Sequence, residues 1–149
     1  GEHIYKRHNK TLLLYHLVFP LKYRKSVIND EIGKGLKQIC IEISLRYEVH
    51  FIEIGYESDH VHFLVQSVPN YSVSKMIRML KSITAKELFK RYPEIKLKLW
   101  GGKFWTSGYY VNTVGQYGSL DVIKKYVENQ GKEYKREYKK IYYGQLTLF

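Results

Sequence analysis

Residues 49–67 read VHFIEIGYESDHVHFLVQS, two runs of β-branched and aromatic residues joined by a short polar link. The first run, Val49 to Tyr56, is typical of a β-strand. The second run, Val61 to Ser67, alternates between apolar and polar residues and stops before Pro69. Because the link Glu57-Ser58-Asp59 is so short, we expect the two strands to form an antiparallel hairpin.

A strand and a helix are predicted before this hairpin. Thr11 to Phe19 is a nearly continuous apolar run that ends at Pro20, which favours a buried strand. Asn29 or Asp30 can cap a following helix. Five apolar residues of that helix are predicted to face the core: Ile32, Leu36, Ile39, Ile43 and Leu45.

After the hairpin the pattern predicts a helix, a strand and a last helix. Ser72 or Ser74 begins the helix, and Pro93 ends it because the residue before a proline avoids helical geometry. A loop from Trp100 leads into a strand over Tyr109 to Thr113. The last helix covers Val122 to Gln130.

The predicted order β-α-β-β-α-β-α is that of an α+β, ferredoxin-like fold. In this split βαβ arrangement an antiparallel sheet carries its helices on one face and leaves the other open to ligands. At 149 residues we expect a single domain, 1–149, in which 132–149 is a charged C-terminal tail.

Composition excludes several classes of protein. Cys40 has no partner cysteine, which excludes a disulfide framework and a zinc ribbon. No apolar run approaches the ~18 residues of a membrane span, and no secretion signal opens the chain. We therefore expect a soluble, intracellular protein with no membrane partner.

The charge favours a nucleic-acid partner. The 25 Lys and Arg residues exceed the 14 Asp and Glu residues by 11, which gives a net charge of +11. Such an excess favours a polyanion, and the 15 tyrosines can stack on exposed bases. The alternative is a basic protein whose tyrosines are ordinary core residues.

His60-Val61-His62 is the sharpest local feature. Alternate side chains of a strand share a face, so both histidines project together while Val61 faces the core. Two imidazoles at this spacing can chelate one divalent cation, or they can be satisfied polar residues on an exposed sheet face.

Tyr126 and Gln130 share a face of the last helix because they are four residues apart. A tyrosine hydroxyl can be a nucleophile, although its usual pKa of about 10 keeps it protonated at neutral pH. A glutamine amide oxygen suits Mg²⁺ or Mn²⁺. Tyr126 can equally be a partly buried aromatic beside Val122.

Together these residues resemble the single-tyrosine HUH transposase family of small insertion sequences. The resemblance extends from about Leu13 to Gln130. It rests on the two histidines, on Tyr126 within KYVENQ, and on four further stretches: Tyr15 to Phe19, Lys22 to Arg24, Leu80 to Ser82 and Trp105 to Gly115.

The resemblance implies a DNA transposase that cleaves and rejoins single-stranded DNA at the foldback ends of an insertion sequence. Tyr126 would be the catalytic nucleophile and would form a 5′-phosphotyrosine intermediate. His60, His62 and Gln130 would bind the divalent metal, Mg²⁺ or Mn²⁺, and no nucleotide cofactor would be needed. The partners would be single-stranded DNA with hairpin ends and a second copy of the chain, a homodimer with active sites shared between subunits.

Five basic residues are candidate DNA contacts because they lie at loops or on a helix face: Lys22, Arg24, Arg78, Lys81 and Lys103. For each of them an ordinary solvated side chain is an equally good interpretation. Three other functions remain open. One is a domesticated relative or nicking protein with the same chemistry, and another is a ferredoxin-like RNA- or DNA-binding module without catalysis. The third, a metallohydrolase that uses water, is less favoured because too few carboxylates accompany the histidines.

Overall fold

The computed structural model describes residues 13–67 and 70–114. All of them except Val114 belong to one compact unit. The tail from 132, the predicted last helix, Tyr126 and Gln130 lie outside the described residues, so the single domain over 1–149 stays a prediction.

Four strands form one sheet in the order β2-β3-β1-β4. Their bounds are Leu13–Pro20 for β1, Val49–Glu57 for β2, His60–Ser67 for β3 and Tyr110–Val114 for β4. β3 lies between β1 and β2 and is antiparallel to both, which confirms the hairpin and the split βαβ topology.

The first two of the three predicted helices lie within the described residues. The first, α1, spans Asp30–Arg46, and the side chain of Asn29 accepts a hydrogen bond from the Ile32 backbone amide at its start. The second, α2, spans Val73–Arg91 and is capped in the same way by Ser72. A short helix, α3, spans Ile95–Lys98, and no helix among the described residues is long and apolar enough to cross a membrane.

The main core lies between the sheet and the two long helices. Leu17 and Phe19 of β1 and Phe63 of β3 meet Leu36 of α1 and Leu80 of α2 there, all of them buried. Helix α1 also approaches β2 closely at Gly33, where a Cβ atom would lie 2.3 Å from the Tyr56 ring. A side chain at position 33 would therefore displace that tyrosine.

The opposite face of the sheet is not open at its centre. Leu14 and Val18 of β1 and Leu64 and Gln66 of β3 point away from the helices, yet all four are buried. The apolar residues on both faces of β1 explain the difference, since a strand with such a run is normally covered on both sides.

One extra residue interrupts the pairing of β2 with β3. Phe51 lies opposite Val65, but Glu53 lies opposite Leu64, so Ile52 is a bulge. From Glu53 onward the register is regular, and it places Gly55 opposite His62 and Glu57 opposite His60.

Candidate active site

The two predicted metal ligands lie together at the start of β3. His60 and His62 point away from the helices, whereas Val61 and Phe63 belong to the main core. The two imidazole centroids are 6.2 Å apart, and the ring planes differ by 30°. Because β3 is an inner strand of the sheet, its paired backbone fixes both residues.

Asp59 fixes the orientation of the His60 ring. Its Oδ1 atom lies 2.9 Å from Nδ1 of His60, whose side chain is largely buried. An ionised carboxylate can only accept a hydrogen bond, so Nδ1 carries the proton and donates it. Metal-binding histidines commonly donate one ring N–H to a carboxylate in this way and bind the metal through the other nitrogen.

Gly55 makes room for the second imidazole. A Cβ atom at this position would lie 2.6 Å from Nε2 and 2.8 Å from Cε1 of His62. Non-bonded carbon and nitrogen atoms do not approach each other so closely, so any side chain at position 55 would displace the His62 ring. The conformation of His62 therefore depends on a glycine in the neighbouring strand.

His16 is a third histidine beside this pair, and no sequence motif assigned it a role of its own. Its ring centroid lies 5.9 Å from that of His62 and 6.0 Å from that of Tyr110. It is fully buried, and neither ring nitrogen has a hydrogen-bond partner among the described residues. Burial lowers the pKa of His16 to about 4, so this imidazole is neutral near pH 7. Strand alternation from Leu14 to Val18 is the signal that could have placed it on the face of His62.

Four of the five predicted DNA contacts line one groove between α2 and the loop before β4. This basic groove has a volume of about 530 Å³, and none of its lining residues is acidic. Its cationic side chains are Lys22, Arg78, Lys81, Lys86 and Lys103, with Phe89, Phe104, Trp105 and Tyr109 among the aromatic ones. Arg24, the fifth predicted contact, does not line the groove. Lys86 does line it, although no sequence pattern had marked it as a DNA contact.

Lys81 differs from the other cations of the basic groove because it binds the protein itself. Its Nζ atom donates hydrogen bonds to the backbone carbonyls of Thr106 and Gly108, each at 2.8 Å. It also lies 5.3 Å from the ring centroid of Tyr109, and burial lowers its pKa. Lys81 thus fastens the loop before β4 to α2.

Comparison with known proteins places the chain in a family. The family model for IS200-like transposases matches residues 9–130. The chain belongs to the IS200-like transposase family. This transposase is 36% identical over 118 residues to the ISDra2 transposase TnpA of Deinococcus radiodurans, covering 79% of this chain and 84% of that one. It is 30% identical over 126 residues to the transposase of insertion sequence IS200 from Salmonella typhimurium, covering 85% and 82% of the two chains.

Solved structures agree with the fold of this IS200-like transposase. The crystal structure of a candidate transposase from Deinococcus radiodurans has a TM-score of 0.68 and 31% identity, covering 86% of this chain and 98% of that one. A REP-associated tyrosine transposase bound to a REP hairpin has a TM-score of 0.52 and 11% identity, covering 84% and 68%. The ferredoxin-like α+β class is therefore confirmed.

The described part of this IS200-like transposase supplies an incomplete donor set for a metal ion. His60 and His62 present two imidazoles on one face, which suits a divalent cation. Among residues 13–67 and 70–114 no group of three His, Cys, Asp or Glu side chains could hold a metal. A metal at this pair would need a third protein ligand of another type or from elsewhere in the chain, and Gln130 stays the predicted one.

Proposed function

We propose that this transposase cleaves and rejoins single-stranded DNA at foldback ends, with Tyr126 as nucleophile and a metal held by His60, His62 and Gln130. The observation that carries the proposal is the pair of same-face imidazoles, one oriented by Asp59 and the other by Gly55. Membership of a transposase family is the reason for proposing DNA as the substrate.

In the cleavage step the phenolic oxygen of Tyr126 attacks the scissile phosphorus. The new oxygen–phosphorus bond forms as the bond to the 3′-oxygen breaks, which leaves a 5′-phosphotyrosine and a 3′-hydroxyl. The phenol loses its proton and the leaving oxygen gains one. Because one phosphodiester replaces another, the covalent link conserves the bond energy and the step needs no nucleotide cofactor. Mg²⁺ or Mn²⁺ held by His60, His62 and Gln130 would supply Lewis-acid polarisation of the phosphate. Attack of a 3′-hydroxyl on the phosphotyrosine reverses the step and joins the strands.

The basic groove is the proposed path of the DNA backbone. Lys22, Arg78, Lys86 and Lys103 offer cations to phosphates along a surface without a carboxylate. Lys81 contributes indirectly in this scheme, because it holds the loop that forms one wall. Hairpin DNA is the proposed form of the ends, as it is the ligand of the REP-associated transposase with a similar fold. The proposed assembly is a homodimer with shared active sites.

The deciding experiment incubates the protein with single-stranded DNA from the flanks of its own gene, in Mg²⁺ or Mn²⁺, and separates the products on a denaturing gel. We expect a protease-sensitive protein–DNA adduct that disappears with EDTA and in Tyr126→Phe. Tyr117→Phe is the matched control and should retain the adduct. An adduct that survives Tyr126→Phe would refute the assignment of the nucleophile.

Two further substrates separate the alternatives. An adduct with dispersed palindromic repeats, but not with the flanks of the gene, would favour a domesticated relative with the same chemistry. Tight binding of RNA or DNA without cleavage, independent of metal, would favour a non-catalytic binding module and contradict the proposal.

A further inference from the structure

The turn that follows β1 has an unusual backbone. Tyr23 has φ 57° and ψ 15°, and Arg24 has φ 55°, so both residues adopt the left-handed conformation. Within residues 13–67 and 70–114 they are the two non-glycine residues with positive φ. This conformation is unfavourable for residues with a Cβ atom, and two in succession need support from their surroundings.

Backbone hydrogen bonds supply that support. The Leu21 amide donates to the carbonyl of Asp59 at 2.9 Å, and the Lys22 amide donates to the carbonyl of Phe104 at 2.8 Å. The Arg24 amide closes the turn on the carbonyl of Leu21 at 3.0 Å. With Leu21 fully buried, the chain enters the turn from a fixed point.

The result is an exposed aromatic ring at a defined place. The Tyr23 side chain is 59% exposed, and Nζ of Lys22 lies 5.2 Å from its ring centroid. Lys22 lines the basic groove. On the other side, Pro20 pairs with His60, and Asp59 both orients His60 and accepts the Leu21 amide. The ring is therefore attached by short, rigid connections to both the basic groove and the histidine pair.

We propose that Tyr23 is a stacking platform for an unpaired base of the single-stranded DNA, next to the phosphate-binding basic groove. This inference rests on the proposed function and adds a base-binding position to it. A ring stacks on any base, so it holds an unpaired strand without reading its sequence. The unfavourable turn presents the ring to solvent, and relaxation of the backbone to an ordinary conformation would move it.

The test measures DNA binding in EDTA, with single-stranded DNA from the gene flanks that carries 2-aminopurine at successive positions. Stacking quenches this fluorescent base, so we expect one or two positions to be quenched by the wild type. Tyr23→Ala and Tyr23→Gly should abolish that quenching and weaken binding about tenfold. Tyr23→Phe should retain both within about twofold, because a phenyl ring also stacks.

Two controls separate stacking from a structural role. Tyr23→Gly should raise the melting temperature above that of the wild type, since glycine accepts a positive φ, while it still loses binding. Tyr71→Ala should bind like the wild type. Tyr71 has a similar lysine, Lys75, at 5.9 Å from its ring, but it follows the Ser67 end of β3, away from His60.

Wild-type binding and quenching in Tyr23→Ala would overturn the proposal, and so would equal losses in Tyr23→Phe and Tyr23→Ala. The adduct assay distinguishes this failure from that of the proposed function. Quenching that depends on Tyr23, without any adduct in Mg²⁺ or Mn²⁺, would sustain the stacking site and refute the strand transfer. An adduct formed by the wild type, together with normal DNA binding by Tyr23→Ala, would support strand transfer and refute the stacking site.

Discussion

Gly55 shows how a residue without a side chain can determine the geometry of a site. Gly55→Ala adds a methyl group where the His62 ring now lies, at 2.6 Å from Nε2. We expect the ring to rotate away and the affinity for Mn²⁺ to fall by roughly 10- to 100-fold, the usual effect of losing a residue that positions a ligand. Titration calorimetry with Mn²⁺ measures the change.

The matched control for Gly55→Ala is Gly108→Ala, because no heavy atom lies within 4 Å of a Cβ atom placed there. The control should keep the Mn²⁺ affinity and the melting temperature of the wild type. Unchanged Mn²⁺ affinity in Gly55→Ala would mean that the His62 ring does not take part in binding the metal.

His16 should make stability depend on pH. Its pKa is about 4 in the folded protein and 6.5 in the unfolded chain. Between pH 6.5 and pH 4 the imidazole is therefore protonated in the unfolded state but mostly neutral in the folded state. The free energy of unfolding should therefore fall between pH 6.5 and 4, by up to about 3 kcal/mol. Urea unfolding at pH 7 and pH 4.5 measures the fall.

His16→Leu should remove this contribution and leave the carboxylates as they are, so the difference between the two proteins isolates the imidazole. At pH 7 we expect no loss of stability, because the ring nitrogens have no hydrogen-bond partner among the described residues. An identical pH dependence in both proteins would contradict the interpretation.

Among the secondary-structure elements, the loop before β4 is attached to helix α2 by a buried hydroxyl as well as by Lys81. Nε1 of Trp105 donates to Oγ1 of Thr84 at 2.9 Å, and Oγ1 donates to the carbonyl of Leu80 at 2.6 Å. Thr84→Val keeps the shape but removes the acceptor, so the buried indole N–H loses its partner. We expect a loss of about 1–3 kcal/mol in the free energy of unfolding, measured in urea.

Thr84→Ser should restore most of this stability because it restores the acceptor. Thr106→Val is the control, since the Thr106 hydroxyl donates to the Gly108 carbonyl at an exposed position and should matter little. A Thr84→Val protein as stable as the wild type would show that the loop is held by other contacts, such as those of Lys81.

The elements themselves were predictable where local signals agree with the final packing. The Asn29 and Ser72 caps begin the two long helices as expected. Leu45 was wrongly assigned to the core: it is 82% exposed, because two residues after the buried Ile43 a helix has turned by more than half a revolution. The short helix Ile95–Lys98 was not predicted either, since four residues carry too little pattern.

The candidate site was predictable only in part, for a physical reason. Spacing alone places His60 and His62 on one face, because it depends on a single strand. The contribution of Gly55 depends on its register with another strand, and the turn at Tyr23 opposes the ordinary preference of its residues. Backbone hydrogen bonds to the carbonyls of Asp59 and Phe104 impose that turn, and no local sequence pattern predicts them.

For the molecule as a whole, charge should dominate the affinity for DNA. The net charge is +11, and four cations of the basic groove are not engaged with carbonyls as Lys81 is. If each binds one phosphate of a single strand, the logarithm of affinity falls with that of salt at a slope of about −0.7 per phosphate. A fourfold rise in salt should therefore weaken binding roughly 50-fold.

Fluorescence anisotropy over a range of salt concentrations gives the slope directly. Lys103→Gln should make it shallower by about 0.7, while Lys34→Gln, on α1 and outside the basic groove, should leave it unchanged. Equal slopes in all three proteins would place the DNA on another surface.

The bulge at Ile52 determines which single-residue deletions in β2 the protein can tolerate during evolution. Loss of the Ile52 codon preserves the reading frame and straightens β2, yet Gly55 stays opposite His62 and Glu57 stays opposite His60. Loss of the Ile54 codon also straightens the strand, but it moves Glu53 opposite Phe63, into the apolar core. We therefore expect natural selection to tolerate deletion of Ile52 and to remove variants that lack Ile54.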